Sequence, residues 1–358
     1  MELVNQTALP AMVVVTPGAP EGPRIGMLVA KATFRLVASE ALLDTDDPFP
    51  LFDEDTPTDV GILPADVHPR PQSTFEVILV GSARAPGNAP VSDLTVAMSV
   101  GATHGRMAVF GDRWWASDGR FTAPRPFASI PLTYEHAFGG SCDVWLDDTT
   151  AVEVRDPLNG RGLGFDGQHA GEELSVAFGA APGYPKVDYE RRLPNVEMPD
   201  ALIRTPDDSP DPVCWSPAPP DVGFSQIQLV RELQGAADPL NATPDPGIVT
   251  LRAHPDWQIP IPEAAAAVVL HGCTPDGPLA FNLPKLRVVA DYIMGDRRGS
   301  RELAPQLLAL LPDESRAYIV YRSHFTAELD DEMERSFRLR LEDGWYDTPS
   351  AAAPAARQ

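Results

Sequence analysis

The sequence has 358 residues and is 43% hydrophobic, which is enough to fill a sizeable core. Its 28 basic and 51 acidic side chains give a formal net charge of −23, and a surface this negative repels phosphate backbones and anionic lipid headgroups. We therefore expect neither a nucleic acid nor a membrane among its partners. The 39 prolines favour short strands joined by shaped loops over long helices.

The cysteines and the N-terminal residues bear on the cellular compartment. Three cysteines, Cys142, Cys214 and Cys273, lie far apart, and their odd number fits neither a disulfide framework nor a zinc knuckle. We expect them to be buried, reduced thiols. The first residues lack the basic start and the apolar run of a signal peptide, and no apolar stretch approaches the roughly 20 residues of a spanning helix. These features predict a cytoplasmic protein.

Strand-forming residues dominate the first third of the chain. The stretch 24–37 predicts a strand that places Val29, Lys31 and Thr33 on one face. The acidic stretch 42–57, LLDTDDPFPLFDEDTP, lacks the spacing of a calcium-binding EF-hand, and we expect a solvated loop rather than an interaction loop or a cation site. The block 74–117 predicts consecutive antiparallel strands.

The middle of the chain is rich in turn residues, and the last third returns to strands. Residues 155–246 predict an ordered coil packed over the sheets, with one helix candidate, SQIQLVRELQG, at 225–235. The stretches 264–273 and 278–284 flank a TPDG turn, and 306–325 predicts two strands around a Pro-Asp-Glu-Ser turn.

These patterns predict a mainly β protein in which antiparallel strands form a sandwich or a barrel-like arrangement, with long ordered Pro/Gly-rich loops and few short helices. We expect residues 1–346 to form one large domain. The alternative is two β subdomains, about 1–150 and 224–346, joined by the loop-rich segment 151–223. The tail 347–358 has no bulky apolar residue, and we expect it to be disordered.

The motifs of the common enzyme classes do not occur in the sequence. NGRGLGFDG (159–167) has the glycines of a dinucleotide-binding turn, but it lacks the strand before it and the helix after it that such a turn requires. GxSxG, a GKS/T phosphate loop and HExxH are absent, and no two histidines have zinc-ligand spacing. We predict no catalytic residue, cofactor or metal. The subset that could converge on a metal from distant positions is Glu135, His136, Cys142 and His169.

One stretch, IPLTYEHAFGG (130–140), has the composition of a catalytic site. As a strand it would place Tyr134 and His136 on one face and Glu135 on the other, so the neighbouring carboxylate and imidazole could not form a dyad. We favour a role for this face in the core over a binding contact or catalysis. Gly139 and Gly140 would allow a sharp turn or a positive φ.

Six motifs together resemble the domain of unknown function 2169 family of bacteria: VAKATF (29–34), VGSARAPG (80–87), VFGDRWW (109–115), PRPFASIPLTYEHAFGG (124–140), DPLNGRG (156–162) and LPNVEMP (193–199). The resemblance runs over most of the chain, and PLTYEHAFGG with LPNVE downstream is its most specific part. The signature positions that it marks as possible functional residues are Lys31, Tyr134, Glu135, His136, Gly139, Gly140, Asn195 and Glu197.

The resemblance also implies a function. Members of that family are encoded beside type VI secretion genes, and several are regarded as adaptors that carry a toxic effector to the VgrG spike. It implies a cytoplasmic adaptor or chaperone, with an effector and VgrG as partners and with no established catalytic residue to transfer. The alternatives are a metal-dependent hydrolase or other enzyme that uses Glu135 and His136, and a structural component of the secretion apparatus.

Overall fold

The computed structural model describes residues 1–16, 24–37, 39–68, 70, 73–116, 119–188, 191–219, 251–327 and 335–346. Strands account for 48% of it and helical turns for 8%, and its curled sheets form a half-barrel while several sheets pack together. The prediction of a mainly β fold is therefore confirmed. The helix candidate at 225–235 and the tail 347–358 lie outside the described residues.

The described residues form many strands, one α-helix and four 3₁₀ turns. The 3₁₀ turns are Pro86–Asn88, Tyr134–His136, Pro255–Trp257 and Pro312–Glu314. In chain order the other elements are β1 (Glu2–Asn5), β2 (Ala11–Thr16), β3 (Arg24–Val37), β4 (Glu40–Leu43), β5 (Thr56–Thr58), β6 (Gly61–Leu63), β7 (Thr74–Leu79), β8 (Ser82–Arg84), β9 (Asp93–Val100), β10 (Thr103–Phe110), β11 (Ser129–Pro131), β12 (Phe138–Gly139), β13 (Ser141–Trp145), β14 (Ala151–Arg155), β15 (Leu163–Gly164), α1 (Gln168–Phe178), β16 (Lys186–Asp188), β17 (Val196–Glu197), β18 (Gln258–Pro260), β19 (Ala267–His271), β20 (Leu279–Asn282), β21 (Leu286–Met294), β22 (Arg297–Leu311), β23 (Arg316–Ala327) and β24 (Arg335–Asp343).

The largest sheet has ten strands. Its main order is β1-β24-β21-β22-β23-β3-β2, with β4 joined to β3, β7 joined to β22, and β18 joined to β7. The pairs β1–β24 and β7–β22 are parallel, and the other pairs are antiparallel. Within β22 the register with β23 shifts between Pro305 and Leu307. An irregularity of this kind bends a strand and increases its twist, which helps a large sheet to curl.

The second sheet has five antiparallel strands in the order β17-β10-β9-β19-β20. One hydrophobic core joins it to the large sheet: Met27 and Leu307 of the large sheet belong to the same buried cluster as Val96, Met107 and Val268 of the smaller one. Burial of this apolar surface is the main force that holds the two sheets together. The predicted division into domains stays a prediction.

A three-stranded sheet, β14-β13-β16, packs with α1 around a small separate core. The core is built from Cys142, Val144 and Leu146 of the chain around β13, with Leu174 of α1 packed against them. We call residues 141–188 the α1 module. It matters for function because it carries the helix and one side of a surface cleft.

Several strand predictions are confirmed and one is wrong. The stretch 24–37 is β3, and the two predicted C-terminal hairpins are β19–β20 and β22–β23. In the block 74–117, however, only β9 and β10 pair as consecutive antiparallel strands, because β7 pairs with β18 and β22 instead. Nearly every residue of β7 is buried, and this fits a parallel strand inside a sheet better than a hairpin arm. In the described part of the chain, no helix has the length and apolar composition of a membrane span.

Candidate functional site

The signature stretch 130–140 is not one strand, so the predicted alternation of its side chains is wrong. β11 ends at Pro131, a 3₁₀ turn spans Tyr134–His136, and β12 starts at Phe138. The reason lies in Asn159, whose side-chain amide donates to the carbonyl of Tyr134 at 2.8 Å and to that of Phe138 at 2.9 Å. These hydrogen bonds satisfy backbone acceptors that a neighbouring strand would otherwise have to satisfy.

Gly139 and Gly140 bring this stretch into close contact with the loop that carries Asn159. Their φ angles are 134° and 109°, which confirms the predicted positive φ. A Cβ atom at Gly139 would lie 2.1 Å from the carbonyl oxygen of Asn159, and one at Gly140 would lie 2.5 Å from that of Gly162. The two glycines therefore allow backbone to pack on backbone, and no other residue fits without a shift.

Tyr134 is a core residue. Its side chain is buried in a small cluster with Cys214 and Ala218, and its hydroxyl has no hydrogen-bond partner among the described residues. Burial raises the pKa of Tyr134 well above its usual value. The predicted role of this side chain in the core is therefore confirmed, and it has none of the polar contacts that would activate a phenol.

The side chains of Glu135 and His136 contact different residues rather than each other. The Glu135 carboxylate is exposed and lies 3.6 Å from Nη1 of Arg161. Nδ1 of His136 lies 3.1 Å from Oγ1 of Thr133, and burial together with nearby Arg192 lowers the pKa of His136. No group of three or more His, Cys, Asp or Glu side chains in the described part is arranged to hold a metal ion.

Asn195 and Glu197 fasten the LPNVE motif to the signature stretch and to β10. The backbone N–H of Asn195 donates to the carbonyl of His136 at 2.8 Å, and its side chain donates to Phe110 O at 3.0 Å. Glu197 forms a buried ion pair with Arg113 and accepts a hydrogen bond from the backbone. Burial lowers the pKa of Arg113 to about 10. Both residues of the motif therefore hold backbone segments together.

Lys31 is fully buried on β3. Its Nζ lies 2.5 Å from Oδ2 of Asp66, donates to Pro50 O at 2.7 Å, and lies 3.7 Å from the centre of the Phe52 ring. Burial lowers the pKa of Lys31 to about 8, although Asp66 acts in the opposite direction. The stretch 42–57 covers this face of the sheet through apolar residues that pack on the core, while four of its six acidic side chains, Asp46, Asp47, Asp53 and Glu54, are exposed. The prediction of a solvated loop therefore describes most of its acidic residues but not its apolar ones.

The structure joins six of the eight predicted site residues in one region through backbone contacts. The other two, Glu135 and Lys31, have different surroundings. Tyr134, His136, Gly139, Gly140 and Asn195 belong to one hydrogen-bonded unit, and Ala137 bridges to Val196 beside Glu197. Glu135 is on the same turn but faces solvent, and Lys31 lies in the large sheet. The residues of the hydrogen-bonded unit share one role, which is to hold the backbone of this region in place.

Sequence reasoning missed a group of buried charges near Lys31. Arg70 pairs with Glu76 Oε2, and Glu76 Oε1 accepts from the backbone N–H of Arg252 at 2.5 Å. Arg322 of β23 donates from Nε to Asp66 O at 3.0 Å. These residues are distant in sequence and meet only through strand pairing, so no local pattern marks them.

A surface cleft of about 650 Å³ lies between β14, the start of α1 and the loop 206–211. Six carboxylate side chains line it: Asp156, Asp166, Glu173, Asp207, Asp208 and Asp211. The one arginine that lines it, Arg155, is already paired with Glu153 at 3.0 Å. We call this the acidic cleft. Its electrostatic field attracts cations and basic side chains.

Beside the acidic cleft, α1 exposes large apolar side chains at its C-terminal end. Val176 is 88% exposed and Phe178 is 75% exposed, although Leu174 of the same helix packs inward. Val176 lies one helical turn after Glu173, which lines the cleft. This helix directly follows the glycine-rich run 159–167, so the expectation that no helix follows that run is wrong. Its signal was a run of helix-forming residues, QHAGEELSVAF, bounded by Gly167 and Gly179.

The fold and the site define a mainly β protein. Its signature motifs hold backbone segments together, and its surface carries the acidic cleft with the exposed apolar end of α1 beside it. The chain belongs to the family described as "Uncharacterized protein conserved in bacteria (DUF2169)", whose model matches residues 21–322. The family resemblance of the motifs is thereby confirmed. No curated protein matches the sequence, and no solved structure matches it.

Proposed function

We propose that this protein is an adaptor of a type VI secretion system, which binds a toxic effector in the cytoplasm and helps to load it onto the VgrG spike. The observation that carries the proposal is the surface formed by the acidic cleft and the exposed end of α1. Val176 and Phe178 leave apolar area in water that a partner protein can cover. The motif resemblance supplies the identity of the partners.

The charge of this surface favours a basic partner segment. Six carboxylates line the cleft, and the whole chain carries a net charge of −23. Opposite charges speed the encounter of two proteins and exclude wrong partners, while apolar residues at the centre of an interface supply most of the binding free energy. An effector segment with basic and apolar side chains would match both parts of the surface.

The signature residues support binding by a rigid scaffold rather than catalysis. Glu135 pairs with Arg161, and His136 contacts Thr133. Lys31 and Glu197 form buried ion pairs, while the side chains of Tyr134 and Asn195 contact the core and the backbone. A general base must instead lie within reach of a substrate proton. In the proposal these residues hold the α1 module and the loops in place.

Affinity capture from the native cell tests the proposal. We expect the tagged protein to recover both VgrG and a toxin whose export depends on the secretion system. Changing Val176 and Phe178 to serine should abolish recovery of the toxin. The matched control changes Val37 and Leu42 to serine, since these are also exposed apolar residues but lie on β3 and β4.

The possible results separate the alternatives. If the wild-type protein recovers neither partner from cells that assemble the apparatus, the adaptor function is wrong. If the α1 and the control variants recover the toxin equally well, the adaptor function stands and the assignment of the surface is wrong.

A further inference from the structure

Three buried arginines carry hydrogen-bond donors that no described residue satisfies. Arg70 and Arg322 are 1% exposed and Arg252 is 4% exposed. Nη1 and Nη2 of both Arg70 and Arg322, and Nη2 of Arg252, are buried without a partner in the described structure. Buried donors are almost always bonded in folded proteins, and unbonded charged donors are especially unfavourable. Five such nitrogens outnumber the one carboxylate oxygen beside them that is also buried without a partner, Asp66 Oδ1, and therefore point to a missing acceptor.

The three arginines lie around the same carboxylate and strands. Nε of Arg70 and the backbone N–H of Arg252 bind the two oxygens of Glu76. Glu76 lies on β7, which pairs with β22, and β22 pairs with β23 where Arg322 lies. Burial lowers the pKa of Arg322 to about 10, and the charge of Arg70 is the next largest cause. The guanidinium groups of Arg70 and Arg322 are therefore close enough to repel each other, and Arg252 joins them in lowering the pKa of His68, although burial is the larger cause there.

The buried group has an excess of positive charge. It contains four cations and three carboxylates: Lys31, Arg70, Arg252, Arg322, Asp55, Asp66 and Glu76. Each carboxylate lies beside one of the first three cations. Arg322 forms no ion pair with any described residue, although the charges of Asp66 and Glu76 act on it, and its Nε donates to a backbone carbonyl. A buried charge that lacks an ion pair of its own is destabilising.

We propose that Arg70, Arg252 and Arg322 form a buried site for a small oxyanion of the phosphate or sulfate class. Guanidinium groups present paired N–H donors that match such oxygens, and charge-assisted hydrogen bonds of this kind are strong. A tetrahedral anion has enough oxygens to accept from several guanidinium groups at once. Complete burial restricts the ligand to a free inorganic ion, because a larger phosphorylated molecule would have no path for its remaining atoms.

The proposed oxyanion site stabilises the fold and takes no part in the surface proposed to bind a partner protein. An ion that binds only the folded state raises stability in proportion to the logarithm of its concentration above its dissociation constant. Lys31 and the stretch 42–57 close over the sheet here, so the ion enters as this cover forms. Equilibrium unfolding and refolding therefore give the ion access to the site.

Urea unfolding of the full-length protein tests the proposal, with inorganic phosphate as the probe and with sodium chloride at the same ionic strength as the reference. We expect phosphate to raise the urea midpoint in proportion to the logarithm of its concentration once this exceeds the dissociation constant, as binding to the folded state requires. The variant Arg322→Met should lose this logarithmic rise, because it removes the unpaired guanidinium without breaking an ion pair of a described residue. Phosphate also stabilises proteins by exclusion from their surface, but that effect grows in direct proportion to concentration and is shared by all variants.

The matched control is Arg155→Met, which removes an exposed arginine and should respond to phosphate as the wild-type protein does. Sulfate should act like phosphate, and acetate should give no logarithmic rise. Equal responses of the wild-type protein and Arg322→Met would show that water alone satisfies these donors and would overturn the proposal. A logarithmic response to acetate equal to that of phosphate would overturn the class of ion.

A second variant covers the case in which Arg322→Met does not fold. Arg322→Lys keeps the charge but loses the paired donors. We expect the logarithmic rise to begin at a higher phosphate concentration in this variant, because its dissociation constant is larger. An unchanged starting concentration would contradict the part assigned to Arg322.

Discussion

Asn159 shows how a single side chain can decide the path of the backbone. Its amide bridges the carbonyls of Tyr134 and Phe138, and its removal leaves Tyr134 O with only the Ala137 N–H at 3.3 Å and takes away the donor to Phe138 O. We expect Asn159→Ala to lower the free energy of unfolding by about 2–4 kcal/mol. Urea denaturation measures this loss, and Asn282→Ala, at an exposed position on β20, is the control. Equal losses in the two variants would contradict the bridging role.

Gly139 has a requirement beyond its positive φ. A methyl group there would collide with the Asn159 carbonyl, whereas Gly277 has a similar φ of 115° and no atom within 4 Å of the corresponding position. We expect Gly277→Ala to cost about 1–3 kcal/mol from backbone strain alone. Gly139→Ala should cost clearly more and prevent a stable fold. Similar melting temperatures for the two variants would mean that the backbone contact does not matter.

Lys31 should give stability a distinctive dependence on pH. Burial lowers its pKa from 10.5 to about 8, so between these values the unfolded chain holds a proton that the folded protein has released. The free energy of unfolding from this site therefore rises with pH in that window, by on the order of 3 kcal/mol. Urea titrations should show this rise in the wild-type protein and not in the double variant Lys31→Met, Asp66→Asn. The same rise in the double variant would contradict the assignment to Lys31.

At the scale of elements, the inner and outer faces of α1 should respond differently to mutation. Leu174 packs into the core of the α1 module, and Leu174→Ala should cost about 1–3 kcal/mol. Serine at Val176 or Phe178 should change stability by less than about 0.5 kcal/mol, because both side chains are exposed. Thermal unfolding of the three variants checks this difference. A large loss for the outer-face variants would mean that these residues serve the fold and not a partner.

Local sequence patterns predicted an element well where contacts with distant parts of the chain did not change its secondary structure. β3 is long and rich in β-forming residues, and the predicted strand lies within its bounds. The stretch 130–140 has an equally good strand pattern, but the distant Asn159 side chain replaces the strand ladder there with a 3₁₀ turn. α1 was missed because loop-forming glycines on both sides masked a short helical run. Tertiary contacts overruled local preference in these cases.

At the scale of the whole molecule, composition and strand spacing were sufficient for the fold class but not for the order of the sheets. The pairing of β7 with β22 joins residues more than 200 positions apart, and the buried cluster of Arg70, Glu76 and Arg322 forms only through it. The acidic cleft has the same origin, since β14 and the loop 206–211 meet only in the folded chain. The sequence marked the residues that hold the backbone, and the surface that carries the proposed function emerged only from the fold.

The most direct test of the proposed adaptor function is export of the effector from living cells. A strain that lacks this protein is complemented with the wild-type chain, with the variant that has serine at Val176 and Phe178, or with the variant that has serine at Val37 and Leu42. We predict that the effector reaches the culture medium with the wild-type chain and with the Val37 and Leu42 variant, that it stays in the cell with the α1 variant, and that the adaptor itself is never exported. Export at the wild-type level from the strain that lacks the protein would contradict the account.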